Sequence, residues 1–217
     1  MLIRERMTPN PIITISPETS VTDALQLMRE KKIRRLPVID KHGHLAGIVA
    51  ERDLLYASPS PATSLSIWEI HSLLAKLTVE RVMTREVITV TEETPIEEAA
   101  RIMADHKIGG LPVMRDNGLV GIITETDLSK VFVQLFGGRR PGVRLAVSVD
   151  GAKGTVAKVA SAISSAGGDI VGLGLNEVTE TAGRQWEITV KVQGVTRGRL
   201  VEAVRPVVRE ILDVREM

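Results

Sequence analysis

The strongest constraint on the fold of this chain is an internal duplication, in which Leu2–Tyr56 is echoed by Thr78–Phe136. Matching residues follow one another in the same order at a spacing of about 75 positions, as Met28 and Met103 illustrate. Because a unit this small cannot bury both faces of its own sheet, repeated units pack against each other. The duplication therefore predicts two similar units related by a pseudo-two-fold axis, with a cleft at their junction.

Hydrophobic spacing within each copy predicts the element order β-α-β-β-α. Apolar residues three and four positions apart indicate an amphipathic helix after a polar segment that suits a helix cap. Two strands joined by a tight turn follow. The turn is Lys41–Gly43 in the first copy and Asp116–Gly118 in the second, where Asn-Gly favours a hairpin because it accepts positive φ. A second helix begins near Glu51 or Glu125. The predicted strands are Ile12–Ile15, Leu36–Ile39 and Leu45–Val49 in the first copy, and Val87–Val90, Leu111–Met114 and Leu119–Ile123 in the second.

Composition and charge exclude several classes of protein. Basic and acidic residues number 28 and 27, so the chain has no net field that would attract nucleic acid or anionic lipid. Two Trp, one Tyr and two Phe are too few for a protein that stacks single-stranded bases. The lack of cysteine excludes disulfides and thiol catalysis. The charged N-terminus is unlike a signal peptide and no apolar run could span a membrane, so we expect a soluble cytoplasmic protein.

Two motifs that occur once in each copy carry a family resemblance. Leu-Pro-Val occurs at Pro37 and again at Pro112, and the later stretches Gly47–Asp53 and Gly121–Asp127 share the pattern Gly-x-x-x-Glu-x-Asp. The two copies resemble cystathionine-β-synthase (CBS) repeats, whose tandem pair is called a Bateman module. The resemblance implies a cleft for an adenine nucleotide or a related adenosyl ligand, bound as a regulatory ligand and not as a catalytic cofactor.

The family motif Gly-x-x-Thr/Ser-x-x-Asp implies a ribose contact by Thr124 and Asp127. A carboxylate in the first turn of a helix can accept hydrogen bonds from both ribose hydroxyls, and such charge-assisted bonds are stronger than neutral ones. The same pair also fits a capping box, with Thr124 at the helix N-cap and Asp127 as its acceptor. In the first copy Ala50 replaces the threonine and Asp53 is retained. The first site therefore lacks one hydroxyl contact.

The two copies differ again just before Leu-Pro-Val. Arg34 and Arg35 of the first copy have guanidinium groups suited to phosphate, although a solvated surface pair is an equal alternative. Gly109 and Gly110 of the second copy would let a ligand approach backbone amides closely. We therefore predict one asymmetric site in which the second copy holds adenosine and the arginines lie near the phosphates. The candidate nucleotide-binding residues are Val87, Thr89, Ile108, Gly109, Gly110, Leu111, Pro112, Thr124 and Asp127, together with Thr14, Arg34, Arg35, Pro37 and Asp53.

Residues 58–77 between the two repeats (1–57 and 78–136) are longer than a simple connector. A Pro/Ser loop opens the segment, and apolar spacing around Trp68 then predicts a helix. Trp68 is best interpreted as a buried anchor, with ligand stacking as the alternative.

Gly-rich residues 137–142 predict a linker to a third domain, residues 143–217, with the order βαββαβ of a ferredoxin-like fold. The predicted elements are the strands Arg144–Val149, Ile170–Val178, Gln185–Val192 and Asp213–Glu216, the helices Thr155–Ala166 and Arg197–Ile211, and a hairpin turn at Thr181–Gly183.

The glycine-containing turn before the first helix of this domain and the Gly-Gly turn after it resemble the ACT domain. That resemblance implies side-by-side pairing and an amino-acid site at the resulting interface. Lys153 replaces the proline of the family's Asp-x-Pro-Gly turn, and a tight strand-to-helix turn is the alternative interpretation. The candidate ligand residues are Asp150, Lys153, Gly154 and Asn176.

The complete arrangement is similar to the CBS–ACT family of acetoin-utilisation proteins, AcuB. We therefore predict an α/β (α+β) homodimer, built from CBS and ACT domains, that senses an adenine nucleotide and acts on an unidentified downstream protein. A dimerising adaptor without a ligand and an amino-acid sensor are the alternatives. No P-loop, Ser-His-Asp arrangement or metal-ligand spacing is present, which favours a protein that is not an enzyme and has no metal.

Overall fold

The computed structural model describes residues 1–57, 77–180 and 183–217. The predicted Trp68 helix and the predicted turn at Thr181–Gly183 therefore lie wholly or largely outside the described residues. Tertiary contacts divide the chain into two compact units, Met1–Leu128 and Ser129–Met217. This division precedes the linker that was predicted at residues 137–142.

The first unit contains both repeats, and each follows the predicted order of a helix, a β-hairpin and a second helix. The leading strand of each repeat is shorter than predicted, because Ile15 forms only an isolated bridge and the second copy pairs only at its end. The elements in chain order are β1 (Thr8–Pro9), α1 (Val21–Lys31), β2 (Arg35–Ile39), β3 (Leu45–Ala50), α2 (Glu51–Tyr56), β4 (Val90–Thr91), α3 (Ile96–His106), β5 (Gly110–Arg115), β6 (Gly118–Thr124) and α4 (Glu125–Leu135), the last of which continues into the second unit.

Local chemistry accounts for the ends of these elements. The Ser20 hydroxyl caps α1 by accepting a hydrogen bond from the backbone N–H of Asp23 at 3.0 Å. The loop between β5 and β6 consists of Asp116 and Asn117, whose φ values are 48° and 65°. Two residues with positive φ define the hairpin turn whose twist matches that of the strands. Both residues lie within the turn predicted at Asp116–Gly118, and Gly118 is the first residue of β6.

The two repeats build their sheets on the same plan. In the second repeat the strand order is β1-β6-β5-β4, with β4 parallel to β5 and the other pairs antiparallel. In the first repeat β2 pairs with β3, and single bridges extend the sheet on both sides, Ile15 to Val38 in parallel and Thr84 to Ile48 antiparallel. This correspondence gives the first unit its pseudo-two-fold symmetry.

Each repeat is completed by a leading segment that comes from the other repeat, and we call residues 2–9 and 78–84 the exchanged segments. Ile3 is fully buried in the core of the second repeat among Val90 and Met103, while Val79 and Met83 enter the core of the first. β1 pairs with β6, and Thr84 exchanges two backbone hydrogen bonds with Ile48. Neither repeat therefore has a complete core without residues from the other.

The second unit is a four-stranded antiparallel sheet with two helices packed on one face. Its strands lie in the order β10-β7-β9-β8, and the core is made of valine, leucine and isoleucine from the central strands and both helices. This order is the predicted ferredoxin-like arrangement. The elements are β7 (Val143–Asp150), α5 (Thr155–Ser165), β8 (Asp169–Glu180), β9 (Gly183–Gln193), α6 (Arg197–Val204) and β10 (Glu210–Glu216).

The prediction of a helix over Arg197–Ile211 is wrong in its second half. The helix α6 ends at Val204, a 3-10 turn covers Arg205–Val207, and β10 begins at Glu210. Pro206 explains the change, because proline has no backbone N–H and its ring collides with the preceding turn of a helix. The final strand is accordingly longer than predicted and contains a bulge between Ile211 and Asp213.

Within the second unit, the segment after α4 lies against the sheet at β8. The Phe136 ring occupies the space beside Gly174, where a Cβ atom would collide with the ring, and backbone atoms of Phe136 fill the equivalent space at Gly172. Phe132 stacks on Phe136 with ring centroids 4.6 Å apart. The alternate glycines of β8 thus let an aromatic ring contact the sheet directly.

Candidate functional site

The first unit contains a cavity of about 680 Å³ at the junction of the two repeats. Its volume is within the range of small-molecule sites in proteins. The first repeat contributes the residues before β2 and around the start of α2, and the second contributes the residues before β4 and β5. The lining residues are Arg34, Arg35, Ile48, Ala50, Glu51, Arg52, Asp53, Thr84, Glu86, Val87, Ile88, His106, Lys107, Ile108, Gly109, Gly110 and Glu125.

Half of the residues that were predicted from the sequence to bind a nucleotide line this cavity. Those that line it are Arg34, Arg35, Asp53, Val87, Ile108, Gly109 and Gly110, and those that do not are Thr14, Pro37, Thr89, Leu111, Pro112, Thr124 and Asp127. Leu111 is fully buried in the core of the second repeat. Thr124 and Asp127 occupy the positions that correspond by pseudo-symmetry to Ala50 and Asp53.

The two aspartates sit in the first turns of α2 and α4 and receive different hydrogen bonds. The Asp127 carboxylate accepts the backbone N–H of Thr124 at 3.1 Å and its hydroxyl at 2.7 Å. The Asp53 carboxylate accepts the backbone N–H of Ala50 at 2.9 Å. Because Ala50 has no hydroxyl, residue 50 gives Asp53 one hydrogen bond fewer than Thr124 gives Asp127. The bond from the Thr124 N–H to Asp127 is one of the two hydrogen bonds of a capping box, and Asp53 makes the same bond with Ala50.

At this cavity, Arg35 is a cation of the first repeat that reaches into the second. Its side chain runs over Gly109 and Gly110 and its guanidinium reaches the Glu125 carboxylate at 3.5 Å. A Cβ atom on Gly109 would collide with this guanidinium, and one on Gly110 would lie 3.0 Å from Cδ of Arg35. The expectation that the two glycines leave room for a ligand therefore needs correction, since the space beside them holds the Arg35 side chain.

The surroundings of Arg35 act on its charge in opposite directions. Burial lowers the pKa of its guanidinium, and neighbouring Arg34 acts in the same direction, while Glu125 raises it. Arginine starts from so high a pKa that the group stays charged at neutral pH. Its side chain is 23% exposed against 66% for Glu125, so the arginine is much more deeply buried than its partner carboxylate.

Several cavity residues were missed by the sequence reasoning. Arg52 and Lys107 add positive charge, whereas Glu51, Glu86 and Glu125 add negative charge. Glu51 and Glu125 occupy the same position in the two repeats, directly after the strand that leads into the second helix. Comparison of the copies could have found these glutamates, but no spacing signal indicates that Arg52 and Lys107 face the same space.

The candidate ligand residues of the second unit form no comparable arrangement. Asp150 makes an ion pair with Arg209 at 3.3 Å, and Gly154 has a φ of 83° at the start of α5 with open space around its Cα. A left-handed residue at this position is what a tight strand-to-helix turn requires. Lys153 and Asn176 are both exposed.

Among the described residues, no group of three or more His, Cys, Asp or Glu side chains could hold a metal ion. In the same part of the chain, no helix has the length and apolar character needed to cross a membrane.

Comparison with known sequences finds relatives that match about 60% of the chain. A CBS domain-containing protein of Dictyostelium discoideum is 32% identical over 136 residues, which are 62% of this chain and 93% of the relative. The L-aspartate semialdehyde sulfurtransferase of Methanocaldococcus jannaschii is 35% identical over 133 residues, 60% of this chain but only 22% of that enzyme.

Solved structures match a similar share of the chain. A putative acetoin utilization protein (AcuB) from Vibrio cholerae has 33% identity and a TM-score of 0.52, covering 64% of this chain and 95% of that one. CBSX2 in complex with AMP has 34% identity and a TM-score of 0.51, covering 61% and 96%. The CBS domain pair of protein MJ0100, in complex with 5′-methylthioadenosine and S-adenosyl-L-methionine, has 31% identity and a TM-score of 0.51, covering 64% and 98%.

The family model of the CBS domain matches residues 3–60 and 79–134, which together form more than half of the chain. The two matches coincide with the two repeats, and their sheets share one plan. This chain belongs to the CBS-domain family, as a tandem CBS pair followed by a second folded unit.

Proposed function

We propose that this protein is a non-catalytic cytoplasmic regulator that binds an adenine nucleotide or related adenosyl ligand in the cavity between its CBS repeats. The observation that carries the proposal is that the cavity brings together the Asp53 carboxylate, the adjacent guanidinium groups of Arg34 and Arg35, and an apolar wall. Each suits one part of a nucleotide. The complexes of CBSX2 with AMP and of the MJ0100 domain pair with adenosyl ligands support the choice of ligand.

The proposed pose assigns one role to each group. Val87, Ile88 and Ile108 form an apolar surface for the adenine ring. The Asp53 carboxylate accepts hydrogen bonds from the ribose hydroxyls, and charge assistance strengthens them. Arg34 and Arg35 lie at the same cavity and bind phosphate, which the forked guanidinium fits geometrically. The ribose contact thus comes from the first repeat and the base contact from the second.

Titration of AMP by calorimetry tests this assignment against the one based on the family motif. We expect Asp53→Ala to weaken AMP binding by about 10- to 100-fold, since it removes one or two hydrogen bonds to a charged group. Asp127→Ala is the matched control, because it removes the carboxylate at the pseudo-equivalent position. We expect it to change the affinity less than about threefold.

The opposite ranking of the two variants would place the ribose at Thr124 and Asp127, the second candidate site. No heat of binding from AMP, ATP or S-adenosylmethionine with the wild-type chain would contradict the proposal and favour an adaptor without a ligand. Melting temperatures of both variants, measured without ligand, separate lost binding from lost folding.

The ferredoxin-like topology of the second unit and its glycine turn at residues 151–154 favour a second role. We propose that this unit is an ACT domain that pairs with its copy in a homodimer and relays nucleotide binding to a downstream protein in carbon or acetoin metabolism. Amino-acid sensing by the same domain is the alternative. A screen of amino acids by thermal shift distinguishes them, because any ligand that binds the folded state selectively raises its melting temperature.

A further inference from the structure

We propose that Glu125 sets the charge of the ligand that this cavity prefers, because it competes with ligand phosphate for the Arg35 guanidinium. The inference rests on the proposed function and concerns the same cavity. Arg35 and Glu125 come from different repeats, both line the cavity, and they meet at 3.5 Å. Glu125 is thus a specificity-determining residue that acts through its ion pair with Arg35.

The duplication provides an internal comparison for Glu125. Glu51 occupies the same position in the first repeat and also lines the cavity. Its backbone N–H donates to the Arg34 carbonyl at 2.9 Å, just as the N–H of Glu125 donates to the Gly109 carbonyl at 3.0 Å. The counterpart of Arg35 in the second repeat is Gly110, which has no side chain to reach back. Only Glu125 of the two glutamates therefore faces an arginine from the opposite repeat at this position.

Glu125 and a ligand phosphate compete because both would accept a hydrogen bond from the same nitrogen of Arg35. The Nη2 atom that approaches Glu125 cannot at the same time give the same N–H to a phosphate oxygen. Glu125 is 66% exposed and its contact with Arg35 is long, so exchange of this partner for a phosphate requires little energy. A ligand without phosphate needs no exchange. The carboxylate therefore lowers the affinity for anionic ligands and leaves that for neutral ones nearly unchanged.

The experiment compares AMP with adenosine on the full chain. Dissociation constants are measured by calorimetry for the wild type, Glu125→Gln and Glu51→Gln. Each variant removes one negative charge from the cavity, so Glu51→Gln reports the effect of charge alone. We expect Glu125→Gln to tighten AMP binding about two- to fivefold more than Glu51→Gln does, which is the range for an exposed ion pair. The adenosine constants of Glu125→Gln and wild type should agree within about a factor of two.

A double-mutant comparison shows whether the effect passes through Arg35. In an Arg35→Gln background, we expect Glu125→Gln to change AMP affinity no more than Glu51→Gln does, because the competed group is gone. Equal effects of the two glutamine variants on AMP in the wild-type background would overturn the inference. So would weaker AMP binding by Glu125→Gln, which would mean that the carboxylate contacts the ligand itself. Failure of the wild type to bind AMP would instead overturn the proposed function, and this inference with it.

Discussion

At positions 47 and 121, a glycine allows the exchanged segment of the other repeat to lie directly on the sheet. A Cβ atom on Gly47 would be 2.6 Å from Sδ of Met83 and 2.9 Å from the carbonyl oxygen of Thr84. Gly121 has the same relation to Met7. The glycine and the methionine that recur in both copies are thus two sides of one contact. Their repetition in the sequence has a packing cause that is independent of any ligand.

Gly47→Ala should destabilise the first unit by about 1–3 kcal/mol, the usual cost of an overpacked core. The methionine end can move, but the Thr84 carbonyl is backbone that is hydrogen-bonded to Ile48 and must shift with it. Urea denaturation measures the difference in the free energy of unfolding.

Gly198→Ala is the matched control, since a Cβ atom there meets nothing within 4 Å and the position lies in α6. We expect this second substitution to raise stability by about 0.5–1 kcal/mol, because alanine has the lower entropy cost in a helix. Equal losses from both substitutions would show that close packing at position 47 is not the cause.

At the scale of elements, the contact between Phe136 and β8 gives a prediction for the second unit. Phe136→Ala should lower the free energy of unfolding by about 2 kcal/mol, less than a fully buried ring because Phe136 is only half-buried. Phe132→Ala is the control, since its ring is 62% exposed and stacks on Phe136. We expect a loss of about 0.5–1 kcal/mol for that variant.

The measurement is made in a chain that carries Trp68→Phe, so that Trp186 is the single tryptophan and its fluorescence reports on the second unit. A loss for Phe132→Ala that equals or exceeds that for Phe136→Ala would contradict the role given to the glycines of β8.

Local sequence patterns predicted most of the elements, and the duplication predicted that the repeats pair, but nothing predicted that the repeats exchange segments. The hairpins β2–β3 and β5–β6 were predictable because the apolar runs and the turn residues between them all lie within a few positions. The end of α6 was missed because apolar spacing continues past Pro206, although proline itself was the available signal. The exchanged segments were not predictable, because nothing local distinguishes an apolar residue that packs on its own repeat from one that packs on the other.

The candidate site was predictable in part for a similar reason. Comparison of the copies identified Arg34, Arg35 and Asp53 as candidate nucleotide-binding residues. It could not show that the cavity is lined by Asp53 and not by Asp127, since both copies carry the aspartate. The fit of Arg35 over Gly109 joins residues 74 positions apart and depends on how the repeats pack.

At the scale of the whole chain, the exchanged segments make the two repeats mutually dependent. Ile3 and Val79 are both fully buried in the core of the opposite repeat. The covalent connection between the repeats is therefore not what keeps them together once they have folded.

A protease site inserted between Ala57 and Leu77 tests this dependence. We expect the cleaved halves to co-elute in size-exclusion chromatography in native buffer and to separate only in denaturant, because each half buries residues of the other. The control is a cleaved chain that carries both Ile3→Ala and Val79→Ala. Truncation of these buried side chains lowers the free energy of unfolding by about 2–5 kcal/mol for isoleucine and somewhat less for valine. That variant should dissociate at a lower denaturant concentration. Separation of the wild-type halves in native buffer would contradict this account.

The exchange also bears on how such a chain could arise. In an ancestor with a single repeat, the glycine that corresponds to Gly47 would be covered by the leading segment of a second copy. The ancestor would supply its own leading segment to that copy in return. Fusion of two genes would make that association intramolecular, raising the effective concentration of the partner to the millimolar range or above. After fusion the two copies no longer had to be identical. Arginines could then arise in one repeat, and glycines in the other repeat could provide the space for their side chains.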